Sequence, residues 1–284
     1  MHSPILILHP EFTITRYKQI KLDHMEKILH IVSSESNRWL KDVFGKEISE
    51  TSDYIYIPLQ FSWSYRPKNA SMKEMYRALC HIKSHKQSDY LAKIMSLEYS
   101  KYDKVIIYHS NWVIELLDLY FVCKFLNLKE CDVYEFDMEY FCNAKGLQEY
   151  RCGRKFVQTA CIPPSEYEGE DLFQYAKPCT KEKIAEYSKQ WDKWAKVKNS
   201  YILNNPDTGE LEEVARDFFD QSIDEAVRNK KKFWSAINQL ITKYEPICGQ
   251  IYMFTDRLKE LFELEDSRYR IELQVKEKEI LNCE

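Results

Sequence analysis

Glycine is scarce in this chain, and its absence from the N-terminal region excludes one class of site. The chain has 6 glycines among 284 residues, and none precedes Gly45. A loop that wraps a phosphate needs glycines, because its backbone must approach the ligand closely. A dinucleotide-binding or P-loop motif is therefore excluded after the first predicted strand, and the sequence identifies no cofactor.

The chain also lacks long apolar runs and paired cysteines. No stretch approaches the roughly 20 apolar residues that span a bilayer, and the short run 4–8 has no basic flank of the kind found in export signals. The nine cysteines are scattered without a Cys-x-x-Cys pair, which favours reduced thiols over disulfides or a zinc site. We therefore expect a cytoplasmic protein with no membrane partner and no bound metal.

Excess positive charge is missing as well. The formal net charge is −4, and residues 181–284 carry 18 Lys and Arg against 21 Asp and Glu. Neither half of the chain is a basic module that would attract nucleic acid as a whole.

Four short apolar runs alternate with helix-like segments in the first half of the chain. The predicted strands are 28–32, 54–59, 105–108 and 132–136, and the predicted helices are 37–44, 72–81, 88–97 and 112–126. Continuous apolar runs are typical of strands covered on both faces, and strands that alternate with helices indicate a parallel sheet. We predict an α/β fold: a Rossmann-like, largely parallel sheet with flanking helices over 25–140, after an N-terminal extension at 1–24.

The second half is predicted to be a connecting segment followed by a helical domain. Residues 141–180 contain several glycines and prolines, and 155–161 is a further strand candidate. In 181–284, an apolar stripe that contains Trp191 and Trp194 indicates a core-facing helix, and 204–209 is a predicted turn. Two more helices and alternating residues after 262 predict a winged-helix-like end with a terminal β-hairpin. Segment 250–259 would then enter a DNA groove, or the same fold would serve packing or dimerisation.

The order of segments resembles two bacterial domain-of-unknown-function families, numbered 1835 for the N-terminal part and 3658 for the C-terminal part. The first family opens with a strand similar to His-Ile-Val-Phe-Gly-Asp-Ser, where this chain has residues 30–36 with Ser34-Glu35 in place of Gly-Asp. Further similarities are Ile57-Pro58, the segment His109-Ser110-Asn111-Trp112 to Glu115, Trp191, Asn199, Gly209-Glu210-Leu211 and Asp217 to Asp220. An Arg expected soon after Asn199 is missing, since Tyr201-Ile202 follow Ser200. The resemblance implies a two-domain bacterial protein and no particular activity.

Polar residues follow the predicted strands and form the candidate site. In a parallel sheet, ligands bind beyond the carboxyl ends of the strands. The predicted ligand-binding residues are Ser34, Glu35, Ser36, His109, Ser110, Asn111 and Glu115. Ser36, His109 and Asp137 are catalytic candidates, as nucleophile, base and orienting carboxylate, although helix-capping serines explain Ser34 and Ser36 equally well.

Three functional hypotheses stay open from the sequence. The first is a ligand-responsive or interaction protein, in which the α/β domain holds a small polar ligand or a protein partner and the helical domain responds. The second is a hydrolase or transferase that uses the same cleft. The third is a DNA-binding regulator that acts through the winged helix, although Asp256 and Glu260 on the predicted recognition helix would face phosphates.

Overall fold

The computed structural model describes most of the chain between residues 26 and 261. The described residues are 26–33, 52–58, 61, 66–78, 85–128, 131–152, 156–167, 172–198, 200–229, 233–244, 254, 257, 258, 260 and 261. The predicted N-terminal extension, the predicted helix at 37–44 and the predicted terminal hairpin lie outside these residues.

A five-stranded, mostly parallel sheet organises the first part of the chain. Its strands are β1 (Ile28–Ser33), β2 (Ser52–Ile57), β3 (Lys104–His109), β4 (Asp132–Asp137) and β7 (Ala176–Pro178), in the order β2-β1-β3-β4-β7. The pairs β1–β2, β1–β3 and β3–β4 are parallel, while β7 is antiparallel to β4. The predicted mixed α/β class and the shared direction of the first four strands are thus confirmed.

Helices cover both faces of this sheet. They are α1 (Met72–Ala78), α2 (His85–Met95), α3 (Val113–Phe125), α4 (Met138–Lys145) and α5 (Lys181–Trp194). Leu29, Ile31, Val105 and Ile107 share one core with residues of α2, α3 and α5, whereas Val32, Ile106 and Tyr108 share another with α4. Because β1 and β3 are buried on both sides, their sequences are mostly apolar instead of alternating.

The segment between α4 and α5 is made of short elements. A ribbon pairs β5 (Arg151–Cys152) with β6 (Phe156–Val157), and 3₁₀ turns follow at Thr159–Cys161, Pro164–Tyr167 and Leu172–Tyr175. The strand predicted at 155–161 is therefore wrong beyond Val157. The chain turns at Thr159, whose backbone N–H and hydroxyl both donate to the buried carboxylate of Glu115.

The predicted apolar stripe on α5 does face the core. Trp191 is fully buried, and its ring meets Phe61, Phe121 and Phe125 edge-on. Edge-to-face contacts between aromatic rings add to the stability that burial provides. The interpretation of Trp191 and Trp194 as core residues is confirmed, since Trp194 is buried as well.

A hairpin follows α5, where the sequence predicted only helices around a turn. Strands β8 (Ser200–Asn204) and β9 (Leu211–Ala215) are antiparallel, and Asn205–Gly209 forms the turn between them. Side chains of β8 alternate between two cores: Ile202 packs with the sheet core, while Tyr201 and Leu203 pack with a separate C-terminal core. Because both faces of β8 are buried, its sequence lacks the alternation of apolar and polar residues that predicts a strand.

The C-terminal core completes the described structure. Helices α6 (Asp220–Asn229) and α7 (Phe233–Tyr244) pack with β8, and Phe254 and Leu258 join them. We call the hairpin, α6, α7 and the described residues 254–261 the C-terminal unit. Within the described ranges no helix has the length and apolar character needed to cross a bilayer.

Candidate functional site

The carboxyl ends of β1, β3 and β4 meet at one edge of the sheet. In the strand register, Ile31 of β1 lies beside Ile107 of β3, and His109 of β3 lies beside Asp137 of β4. The last residues of the three strands, Ser33, His109 and Asp137, therefore lie at the same edge of the sheet. The prediction that the strand ends near residues 33 and 109 share one edge is confirmed. Ser34, Glu35 and Ser36 lie outside the described residues, so their part in this edge stays a prediction.

Three predicted ligand-binding residues are engaged inside the protein. The hydroxyl of Ser110 accepts a hydrogen bond from the Trp112 N–H at 3.1 Å, and the side-chain oxygen of Asn111 accepts from the Val157 N–H at 2.9 Å. Glu115 accepts from the Thr159 N–H at 3.0 Å and from the Thr159 hydroxyl at 2.7 Å. Asn111 and Glu115 thus attach residues 157–159 to the start of α3, while the bond of Ser110 is local.

Asp137 caps a helix. Its Oδ1 accepts hydrogen bonds from the backbone N–H groups of Glu139, at 2.9 Å, and of Tyr140, at 3.4 Å. A carboxylate at this position satisfies the free N–H groups of the first turn and interacts favourably with the positive end of the helix dipole. The structure thus gives Asp137 a structural role at the start of α4.

His109 is the least committed polar side chain of this edge. Only 6% of the residue is exposed, and neither ring nitrogen has a hydrogen bond within the part of the chain that the structure describes. Its Nε2 lies 3.7 Å from Oε2 of Glu135, which is longer than a hydrogen bond. Glu135 pairs in register with Ile107, two residues before His109, so both side chains emerge from the same face of the sheet.

Glu135 also contacts two side chains of α5. Its Oε1 is ion-paired with Nζ of Lys183, and its Oε2 accepts a hydrogen bond from the hydroxyl of Tyr187 at 2.8 Å. Lys183 and Tyr187 are four residues apart and therefore lie on the same side of the helix. Glu135 is buried, whereas 41% of the Lys183 side chain is exposed. We call His109, Glu135, Lys183 and Tyr187 the His109 cluster.

The electrostatics of the His109 cluster keep Glu135 ionised. Burial by itself raises the pKa of this carboxyl, but the contacts with His109, Lys183 and Tyr187 outweigh burial and lower the pKa to about 2. Burial and the hydrogen bond to Glu135 raise the pKa of Tyr187 well above its ordinary value, so its hydroxyl stays a donor. The cluster therefore combines a fixed carboxylate, a hydroxyl donor and an uncommitted imidazole.

Sequence reasoning missed Glu135, Lys183 and Tyr187 as members of a functional site. One signal was available: Glu135 interrupts the strand sequence Asp132–Asp137, and a charged residue inside a buried strand needs a partner. The partner itself was not identifiable, because Lys183 and Tyr187 lie 48 and 52 residues further along the chain.

Asn204 of β8 connects the hairpin to the loop after β3. Its Oδ1 accepts from the Val113 N–H at 2.7 Å, and its Nδ2 donates to the carbonyl oxygens of Asn111, at 2.9 Å, and Gly209, at 3.2 Å. The side chain is fully buried. The first turn of α3, which begins four residues after His109, is thus capped by the C-terminal unit.

The predicted recognition helix is described only in part. Phe254 and Leu258 face the C-terminal core, and Arg257 is ion-paired with Asp220 at 2.5 Å and with Glu260 at 2.8 Å. Glu260 is also ion-paired with Arg216. The described charged side chains of this segment are therefore engaged within the C-terminal unit.

No protein-family model, no curated protein and no solved structure matches this chain. The resemblance to families 1835 and 3658 therefore stays a prediction that rests on its short motifs.

Proposed function

We propose that this chain is a ligand-responsive protein. A small polar ligand or partner binds at the carboxyl ends of β1 and β3, next to His109, and the C-terminal unit responds to its presence. The observation that carries this proposal is Asn204, since one buried side chain links the loop after His109 to the C-terminal unit.

The strand order supports the position of the site. β2 lies on one side of β1 and β3 on the other, so the strands that follow β1 and β2 in the chain are placed on opposite sides of β1. In doubly wound sheets, the crevice at such a switch point is where ligands bind. The same order supports a Rossmann-like classification of the sheet.

The contacts of β8 support the proposed response. Asn204 holds the backbone of Asn111 and Val113, while its neighbour Leu203 packs in the C-terminal core. A ligand that moves the loop after β3 must therefore shift this strand or break the Asn204 hydrogen bonds. A shift of this strand reaches the C-terminal core through Leu203, and packed cores do not deform continuously.

The test compares two buried histidines on neighbouring strands. Thermal unfolding of the protein is followed with a panel of nucleotides, sugar phosphates, amino acids and carboxylic acids, in the native protein and in His109→Gln and His30→Gln. His30 is buried on the opposite face of the sheet, where its Nδ1 lies 3.0 Å from the Tyr108 hydroxyl. A compound that binds the proposed site raises the Tm of the native protein and of His30→Gln, but not of His109→Gln.

The response is tested separately by amide hydrogen exchange of α6 and α7. With a compound found in the panel, exchange in these helices slows in the native protein and stays unchanged in Asn204→Ala, which retains binding. If His109→Gln keeps every ligand-induced rise in Tm, the proposed site is wrong. If Asn204→Ala transmits the change as the native protein does, the proposed connection is wrong.

An enzyme is the second candidate function, because a carboxylate lies beside the imidazole. A histidine next to a buried, ionised carboxylate is the arrangement of a general base and its orienting group. Here Glu135, at 3.7 Å, takes the place that the sequence analysis gave to Asp137. Turnover of ester, phosphate or acyl-transfer substrates that disappears in His109→Gln would favour a hydrolase or transferase over a binding protein.

The remaining expectations belong to the same proposal. The five described cysteines that form no disulfide, Cys123, Cys131, Cys142, Cys161 and Cys179, support a cytoplasmic location. The two-domain bacterial family and the winged-helix end are proposed from the sequence alone. Retention of the protein on DNA that weakens with salt would support the DNA-binding hypothesis.

A further inference from the structure

A groove of about 680 Å³ lies between the C-terminal end of α5 and the beginning of β9. Its lining includes the partly exposed apolar side chains of Val197 and Leu211, the buried Trp194, and three exposed lysines, Lys193, Lys196 and Lys198. The volume is within the range of sites that bind small molecules. Lys183 and Trp194 are separated by about 16 Å along α5, so the groove is distinct from the His109 cluster.

Three lysines and two carboxylates line this groove. Among the described residues, none of the three has an ion pair, and Lys193 lies over the Trp194 ring at 4.4 Å from its centre. Two carboxylates, Glu212 and Glu213, line the side formed by β9. Glu212 accepts a hydrogen bond from the side chain of Asn205 at 2.9 Å, so it is already engaged.

A buried cation lies directly behind the groove. Arg66 is only 5% exposed, and its guanidinium donates to the carbonyl oxygens of Trp194, at 3.1 Å, and Val197, at 2.9 Å, which are both residues of the groove. Burial lowers the pKa of Arg66, the nearby carboxylate of Glu213 raises it, and the net value is about 10. Arg66 therefore stays charged at neutral pH. Buried charges are normally paired, yet no carboxylate among the described residues forms an ion pair with Arg66.

The groove thus combines an apolar floor with three lysines and two carboxylates, and Arg66 adds a fourth positive charge behind the floor. The excess positive charge disfavours cationic ligands. The apolar floor favours a ligand with an apolar group, because contact between them removes apolar surface from water. We propose that this groove binds a small amphipathic anion, with its apolar body on Val197 and Leu211 and its acidic group between Lys196 and Lys198. This site is independent of the function proposed above.

Three naphthalene probes of nearly equal size separate charge from apolar contact. The probes are 1-naphthalenesulfonate, 1-naphthalenemethanol and 1-naphthylmethylammonium, and their dissociation constants are measured by calorimetry with the full chain at low salt. We expect the sulfonate to bind about tenfold more tightly than the alcohol and the ammonium to bind most weakly. Added salt weakens binding of the sulfonate and leaves the alcohol unchanged.

Two double variants test whether the sulfonate binds in this groove. The double variant K196Q/K198Q should weaken sulfonate binding by about tenfold and leave alcohol binding unchanged. The matched control is K181Q/K189Q, which removes two exposed lysines of α5 that do not line the groove. The proposal is overturned if the three probes bind equally, if none binds, or if both double variants have the same effect.

Discussion

The contacts of Glu135 predict a specific loss of stability in acid. Its carboxyl is 6% exposed, and its pKa is about 2 in the folded protein against an ordinary value of 4.5. At about 1.4 kcal/mol for each pH unit, this difference corresponds to about 3 kcal/mol of folding free energy. Because the folded pKa is the lower one, the contribution is complete above about pH 5 and disappears as the pH falls toward 2.

Glu135→Gln removes this contribution while keeping the size of the side chain. The Gln oxygen can still accept from the Tyr187 hydroxyl, but it offers Lys183 no charge. At pH 7 we expect the variant to be less stable than the native protein by about 2 to 3 kcal/mol. Linkage predicts that the native protein loses about 0.8 kcal/mol of this advantage by pH 4 and about 2 kcal/mol by pH 3.

The measurement is urea unfolding at pH 7, 5, 4 and 3, followed by circular dichroism. The control is Glu186→Gln, an exposed carboxylate on the same helix as Lys183, which should follow the native protein at every pH. A constant difference between the native protein and Glu135→Gln from pH 7 to pH 3 would refute the reasoning, because it would show that ionisation of Glu135 is not linked to folding.

Three further substitutions test two buried hydrogen-bond networks and one turn, each by urea unfolding at pH 7. Asn204→Ala should cost about 2 to 3 kcal/mol, because it removes a helix cap and two buried donors; a cost under about 0.5 kcal/mol would contradict the proposed link. Arg66→Met should cost about 2 kcal/mol, since three carbonyl oxygens lose their donor, and a stabilised variant would show that desolvation of the guanidinium dominates. Gly209→Ala should cost about 1 kcal/mol because Gly209 has a φ of 79°, and no cost would mean that the turn tolerates a side chain there.

The centre of the sheet was predictable because β1 and β3 are buried on both faces. The sequences of β1 and β3 are mostly apolar, and helices separate them, so strand type and parallel direction both followed from local patterns. β7 was not predictable in the same way: it has three residues, ends in Pro178 and pairs with the edge of the sheet. Its formation depends on β4 being in place.

The sequence by itself determined which edge of the sheet carries His109, because the carboxyl ends of parallel strands coincide. Only the tertiary structure decided what surrounds that residue. The local pattern assigned the orienting role to Asp137, yet this carboxylate caps α4, and Glu135 lies beside the imidazole. The partner of Glu135 is set by the packing of α5 against the sheet. The sequence contains 41 Lys and Arg residues, and no local pattern identifies Lys183 among them. In the same way, Asn204 reaches Val113 across 91 residues because β8 packs between two cores, and no local periodicity encodes that contact.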